Sequence, residues 1–500
     1  MYKIKVLSSL MIILSIASAS IAFNTIHVAV NGPNDPGSGT YEDPFRRIQD
    51  AIDIAANGDI IEIQPGLYTG YGNYDLDPSG KSITIRSIGL NAAANTIVDP
   101  NGAGRGFFFQ SGEDANCILS GLMIRNGYAE DDSGGGIYCY NSTPLITNCI
   151  ITNNSADLYG GGIYCYNASP KVIYCVIRNN SATDGGGLEC SGGAPEITNC
   201  IIINNQVTGL GGGADFYYLC NPILTNCTIA GNYADSGGGL SCTDSNVVIK
   251  NSILWQNQAD QGTQMAIEPP IPGPTVLTIS YSNSQNGSAA VYDPCGGLVW
   301  ENGNINVDPC FVSFDPNDDP NMWDFHLQSA YGRWNSIFYE IDFNNDGVIN
   351  LAEFARLADV WLKQDNNLPE DLDHSGMVDW ADIKALSQYF LANSREDGWI
   401  LDELTSLCID AGDPNSDWSS EPWPNGKRIN MGAYGGTSQA SKNGNLADFN
   451  VDNSVNFADF TLMANQWLTG QNCIEDLTND GQVNFADISI FSENWLWEKN

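Results

Sequence analysis

The chain has 500 residues, of which 59 are acidic and 20 basic, for a formal net charge of −39. That balance excludes nucleic acid and anionic membrane as partners, because both need a basic face that releases counterions. Charged residues make up only 16% and hydrophobic ones 42%, so this is not a disordered polyelectrolyte, and the length suits roughly two to four domains.

Residues 1–22 predict a cleaved secretory signal. Lys3 and Lys5 give a basic start, Val6 to Ile16 an apolar stretch, and Ser20-Ile21-Ala22 a small-residue cleavage site. The apolar stretch is too short to span a bilayer; a retained anchor is the alternative. The expected location is secreted, extracellular or at the cell surface, with no membrane span after signal cleavage. Next, Pro44 to Ala56 predicts an amphipathic helix with Ile48, Ala51, Ile52 and Ala55 on one side, and Asp59 to Ile63 a strand. Such a helix suits the lid of an open-ended solenoid.

A repeat follows. Glycine triplets start at Gly134, Gly160, Gly185, Gly211 and Gly237, in steps of 25 or 26 residues. After them come Ile137-Tyr138-Cys139, Ile163-Tyr164-Cys165, Leu188-Glu189-Cys190, Ala214-Asp215-Phe216 and Leu240-Ser241-Cys242. A second block holds Cys149, Cys175, Cys200 and Cys227; a third holds turn asparagines such as Asn153-Asn154, Asn179-Asn180 and Asn204-Asn205. Apolar residues alternate with period 2, and no long period-3.6 run interrupts them. Three short strands per unit predict one turn of a parallel β-helix, an all-β solenoid in which equal positions stack. The asparagines suit left-handed corners and amide ladders.

The run Gly39-Thr40, Pro44-Phe45, Ile48 to Ile52 and Gly58 to Ile61, with these repeats, resembles the secreted right-handed β-helix families. These include pectate-lyase-like proteins; the Gly-Gly-Gly units are also similar to those of polymorphic outer-membrane proteins. The resemblance covers about residues 24–330. It implies the fold strongly and an activity weakly.

Four acidic loops follow, with oxygen donors at positions 1, 3, 5, 9 and 12 and a backbone carbonyl at position 7. That spacing wraps a hard divalent cation, and calcium is the cofactor expected. The first loop offers Asp342, Asn344, Asp346, Val348, Asn350 and Glu353. The second offers Asp371, Asp373, Ser375, Met377, Asp379 and Asp382. The third offers Asp448, Asn450, Asp452, Ser454, Asn456 and Asp459, with Asn453 where glycine is usual. The fourth offers Asp476, Thr478, Asp480, Gln482, Asn484 and Asp487. The first is expected to bind most tightly. Each loop runs into a predicted helix with one apolar stripe, as in Phe460, Met463, Trp467-Leu468 and Ile488, Phe491, Trp495-Leu496. Two such units make a domain of about 50 residues, marginal without metal, so calcium is expected to drive its folding.

These pairs resemble dockerin type I domains, small all-α, EF-hand-like modules that dock onto cohesins. The resemblance implies a cohesin-like or cell-surface partner. It departs at loop positions 10 and 11, here Leu351-Ala352, Trp380-Ala381, Phe457-Ala458 and Phe485-Ala486, which puts a standard cohesin in doubt. Asp324 to Ser329 looks like the exit of the β-helix. In relatives it runs soon into phrases like Ser406 to Pro414 and Arg428 to Tyr434, so the first module reads as an insertion; the alternative is a plain series of domains with 395–440 as a long linker. The expected order is signal 1–22, capped β-helix 23–335, calcium module 336–396, C-terminal β-helix segment 397–440 and second module 441–500. Ser441 to Asn445 reads as a linker.

Fourteen cysteines in a secreted chain invite disulfides. Eight form two columns, Cys139, Cys165, Cys190, Cys242 and Cys149, Cys175, Cys200, Cys227; inward thiols are preferred over bridges between coils. For function, two classes stay open. One is a non-catalytic surface protein that binds extracellular polysaccharide or a cell-surface partner and is tethered by its calcium modules. The other is a polysaccharide lyase or glycoside hydrolase. A lyase needs a base beside calcium-holding acids, a hydrolase paired carboxylates. Arg105, Arg125, Lys171, Arg178 and Lys250 are scattered, while Asp157, Asp184, Asp215 and Asp235 read as corner residues. The three histidines, His27, His326 and His374, lie outside the repeats. No catalytic residue is assigned, and binding is the preferred reading.

Overall fold

The computed structural model describes residues 24–88, 92–269, 273–314, 323–331, 333–334, 351–361, 363, 378, 383, 399–402, 404–452, 454–467, 477 and 482–496. The signal segment, nearly all of the first two acidic loops, and Asp476, Thr478 and Asp480 lie outside these. So does Cys473.

The repeats fold as parallel coils stacked into sheets of 11, 9, 8 and 6 strands. One coil runs Ile137–Tyr140, Leu145–Thr147, Ile150–Thr152 and Ser155–Ala156. The fourth, two-residue strand is too short for alternation to reveal. Stacking is in register: Ile137, Ile163, Leu188, Ala214, Leu240 and Met265 succeed one another. Alternate residues point into one continuous buried core, built of Ile146, Ile151, Val172 and Ile177 and their equivalents.

The glycine triplets are sterically required. A Cβ on Gly135 would meet the Ser155 carbonyl oxygen at 2.1 Å, because the chain packs against the short strand of the next coil. The paired asparagines divide two tasks. Asn153 takes the left-handed turn at φ 56°. Asn154 points inward and heads a ladder through Asn180, Asn205, Asn232 and Asn257, all buried. Asn180 Nδ2 donates to Asn205 Oδ1 at 3.0 Å and to the Ile151 carbonyl at 3.0 Å.

Both cysteine columns point inward. The thirteen described cysteines are free thiols, eleven of them buried. Cys149, Cys175, Cys200 and Cys227 donate to backbone carbonyls rather than pairing, for example Cys200 to Thr198 at 3.3 Å.

At the N-terminal end α1 spans Ile48–Ile54 and buries Ile48, Ala51 and Ile52. It is shorter than the sequence predicts. Phe45 bridges to Val28 in strand fashion and Arg47 is extended, so the helix starts only after them. A single helical turn, α2, covers Ala92–Asn95. No helix among the described residues is long and apolar enough to cross a membrane.

Beyond the coils, Phe311–Ser313 pairs antiparallel with Asp324–Leu327, and Arg333–Trp334 with Trp399–Ile400. Residues 404–445 do not form another coil; among the described residues they contain no strand. They lie as a strap over the outside of the nine-stranded sheet. There Ile203, Ala230 and Ile253 pack with Phe311, Phe325, Cys408, Ile409 and Met431. Turn asparagines anchor the strap: Asn199 Nδ2 donates to the carbonyls of Ala433 at 2.9 Å and Gly435 at 2.8 Å. Lys250 pairs with Asp413, and His326 stacks on Tyr434 at 3.6 Å. The phrases at Asp324, Ser406 and Arg428 are therefore brought into one place. The expected linker is packed: Ser441 is buried and donates to the Leu327 carbonyl at 2.6 Å.

The first module contributes α3, Leu351–Asp359. The second contributes α4, Phe457–Asn465, and α5, Phe485–Glu493. Asn456 and Asn484 cap these helices, with Asp459 and Asp487 completing both capping boxes. The halves pack with matching geometry. Phe457 meets Trp495, and Phe485 meets Trp467, each at 5.0 Å and 83°. Phe449, Val455, Met463, Val483 and Phe491 form the core, with Trp423 of the strap against it. The tryptophans are thus packing residues. Leu496, expected on the stripe, is 72% exposed because the chain leaves the helix at φ 64° there.

Candidate functional site on the outer face of the eight-stranded sheet

The eight-stranded sheet presents two outward columns. One runs Phe108, Tyr138, Tyr164, Glu189, Asp215, Ser241 and Ala266. The other runs Tyr140, Tyr166, Ser191, Tyr217 and Thr243. Phe108 stacks on Tyr138 at 4.9 Å, and Tyr140 on Tyr166 at 5.7 Å with rings 3° apart. The Arg105 guanidinium sits 5.4 Å from the Phe108 ring and 5.5 Å from Tyr138; its charge is matched by Asp132. Tyr140, Tyr166 and Tyr217 are about two-fifths exposed. Parallel register carries one aromatic position onto the next coil, about 4.8 Å on; Tyr138 and Tyr164 are tilted by 54°, and Ser191 separates Tyr166 from Tyr217.

The inner column changes chemistry midway. Glu189 lies directly opposite Asp215 on the next coil, and each is 3% exposed. Glu189 Oε2 and Asp215 Oδ1 are buried without a hydrogen-bond partner. Burial, then the charges of Asp215 and Asp184, push the Glu189 carboxyl well above its usual range. Burial and Asp184 push Asp215 up to about 7, with the Ser241 hydroxyl pulling the other way. Two like groups on neighbouring, buried strand positions each favour the protonated form of the other. Such a pair has acid–base capacity, but in this conformation both carboxyls are closed to a sugar ring.

The sequence reading missed this pair. Asp215 was expected at a corner, yet it sits on a strand. The available signal was alignment, since both acids occupy the position just before Cys190 and Phe216.

Of the expected calcium ligands, the structure brings together positions 1, 5 and 12 of the third loop. The carboxylates of Asp448, Asp452 and Asp459 offer oxygens all within 4.8 Å of one another. Their hard oxygen chemistry fits a calcium ion. The loop is shaped by its own bonds: Asn450 N donates to Asp459 Oδ1 at 3.2 Å and Asp452 N to Asp448 Oδ1 at 3.1 Å. Asn456 caps the helix, its Oδ1 accepting from Ala458 N at 2.8 Å, while its Nδ2 donates to Ser454 at 2.8 Å beside Asp452. Ser454 donates to Asp452 at 2.7 Å, which holds that carboxyl below its ordinary range together with Asn450. In the fourth loop Asn484 and Asp487 repeat the cap, with Asp487 fully buried; Gln482 follows the undescribed Asp480. In the first loop Glu353 falls within α3.

Comparison with known proteins gives a family model described as right-handed β-helix region, which matches residues 79–253 and 135–312. No curated protein sequence matches the chain. Among solved structures, pectate lyase Pel9A is 14% identical, with a TM-score of 0.44, over 83% of this chain and 97% of that one. A rhamnogalacturonan lyase is 14% identical, TM-score 0.31, over 60% and 94%. An alginate lyase from Paenibacillus sp. str. FPU-7 is 13% identical, TM-score 0.28, over 57% and 99%. The stacked coils and the matching model agree on one architecture: this chain is built on a right-handed parallel β-helix.

Proposed function

We propose that the protein is a secreted, calcium-binding β-helix that holds an extended polysaccharide along the outer face of its eight-stranded sheet. The observation that carries this reading is the row of solvent-facing rings at Tyr140, Tyr166 and Tyr217, backed by Phe108, Tyr138 and Tyr164. A pyranose has an apolar face that can stack on such rings and bury area against them. Repetition from coil to coil matches a repeating polymer. Affinity electrophoresis against neutral and acidic polysaccharides tests it. The full chain is retarded by at least one polymer, and Y140A/Y166A/Y217A relieves the retardation; an unretarded chain rejects the reading.

The calcium modules serve as tethers in this account. The three converging carboxylates of the third loop support the cation, and the matched halves of the second module support a docking role. Phe457 and Phe485 are 73% and 78% exposed, so the partner, a cohesin-like or other cell-surface protein, meets apolar rings at positions where hydroxyls are usual. Hydrolysis is the second reading. Its support is the acid–base capacity of the Glu189–Asp215 pair, which must first open to reach a sugar, and reducing-sugar release that E189Q abolishes is its test.

A further inference from the structure

We infer that the polysaccharide held on this face is uncharged, and that the face selects against polyuronates; the inference rests on the binding reading above and names its substrate class. The strands that build the face contain no lysine or arginine. Among the described residues Arg105 meets it, and Asp132 pairs with that charge. Acids surround the rest. Glu189 and Asp215 interrupt the aromatic column but are buried, so the negative charge that a bound chain meets is that of the exposed acids. On the neighbouring six-stranded sheet stand Asp235 and Asp260, and just after its strands Asp157 and Asp184, with Asp157, Asp235 and Asp260 exposed. Glu268 closes the far end, where it accepts from Ser236 at 2.5 Å.

A polyuronate carries one carboxylate per sugar. Laid along the rings, it brings a series of negative charges past this series of acids, over a low-dielectric wall that concentrates the field. Like charges set opposite one another oppose association and are a standard source of selectivity. A neutral sugar meets the same rings without that opposition, and its hydroxyls can donate to the exposed carboxylates. The protein's net charge of −39 adds a long-range barrier against polyanions.

The test compares uncharged and acidic polymers on the full chain at low and high salt. Xylan, galactan and fully methyl-esterified polygalacturonate form the neutral set; polygalacturonate and alginate form the acidic set, each run with calcium and with chelator. The expected result is binding to at least one neutral polymer, with both acidic polymers at least tenfold weaker. The gap narrows as salt screens the exposed acids, and it narrows in D157N/D235N/D260N, which leaves the rings and the core untouched. Polygalacturonate or alginate binding as tightly as the best neutral polymer, with or without calcium, overturns the inference while the binding reading stands. An unchanged ratio in the triple variant overturns it as well. Binding to no polymer rejects the binding reading and takes the inference with it.

Discussion

Arg333 Nε donates to Asp402 Oδ1 at 2.9 Å across 69 positions of chain. The two residues flank the segment that holds the first acidic module, and the short ribbon Arg333–Trp334 with Trp399–Ile400 closes its base. A module carried on adjacent chain ends can be removed without breaking a coil. Replacing residues 336–397 with a short Gly-Ser link is expected to leave the far-UV β signal and the cooperative unfolding midpoint within error. Both partners are largely buried, so D402A should lower stability by about 3 kcal/mol, read by urea unfolding.

The asparagine ladder should be the most sensitive part of the solenoid. Asn205 Oδ1 accepts from Asn180 N and Nδ2, and its Nδ2 donates to the Ile177 carbonyl and Asn232 Oδ1, all at 3.0 Å. N205A strands a buried amide and a buried carbonyl, at a cost of about 3 kcal/mol or more. N153A loses only a left-handed preference at an exposed corner, about 1 kcal/mol. Urea midpoints of the two variants, measured side by side, check the order.

Stability should fall as pH rises through neutrality. The Glu189 and Asp215 carboxyls are both raised in the folded chain, by burial first. The native state therefore binds more protons than the unfolded state. Their contribution is fully present below about pH 4 and drains away as pH passes about 7. For Asp215 alone the difference is on the order of 4 kcal/mol. Asp184 and Glu268 face the pair and add to the effect. E189Q/D215N should flatten the stability profile relative to the parent between pH 4 and 8, read by chemical unfolding.

Calcium should order the tail modules and leave the coils alone. Chelation of the full chain is expected to remove helical signal and keep the β signal. Titration calorimetry of D452N should show the third site weakened at least tenfold, because one of three converging carboxylates loses its charge. Tail helices that persist unchanged in chelator contradict this.

Much of the solenoid was legible because its physics is local and repeated. Ile137-Tyr138-Cys139 shows its inward and outward positions by alternation alone, and Gly134 to Gly136 mark a close approach that admits no Cβ. The strap was harder to read. Its contacts with Asn199, Asn226 and Asn251 span more than 160 positions. Its traces in the repeats are the unbroken Ile201-Ile202-Ile203 and Ile253-Leu254-Trp255, apolar because both faces of those strands are covered. Glu189 and Asp215 were missed for a related reason. Their meaning lies in being opposite each other, and register appears only when the coils are stacked. Asp448, Asp452 and Asp459 were legible because the spacing of a cation loop is itself the geometry.

The most direct measurement is hydrogen exchange of the full chain with and without a bound neutral polysaccharide such as xylan. The account predicts protection confined to amides around Tyr138–Tyr140, Tyr164–Tyr166 and Asp215–Leu219. Protection confined to the eleven-stranded sheet, or none at polymer concentrations that retard the chain, would contradict it.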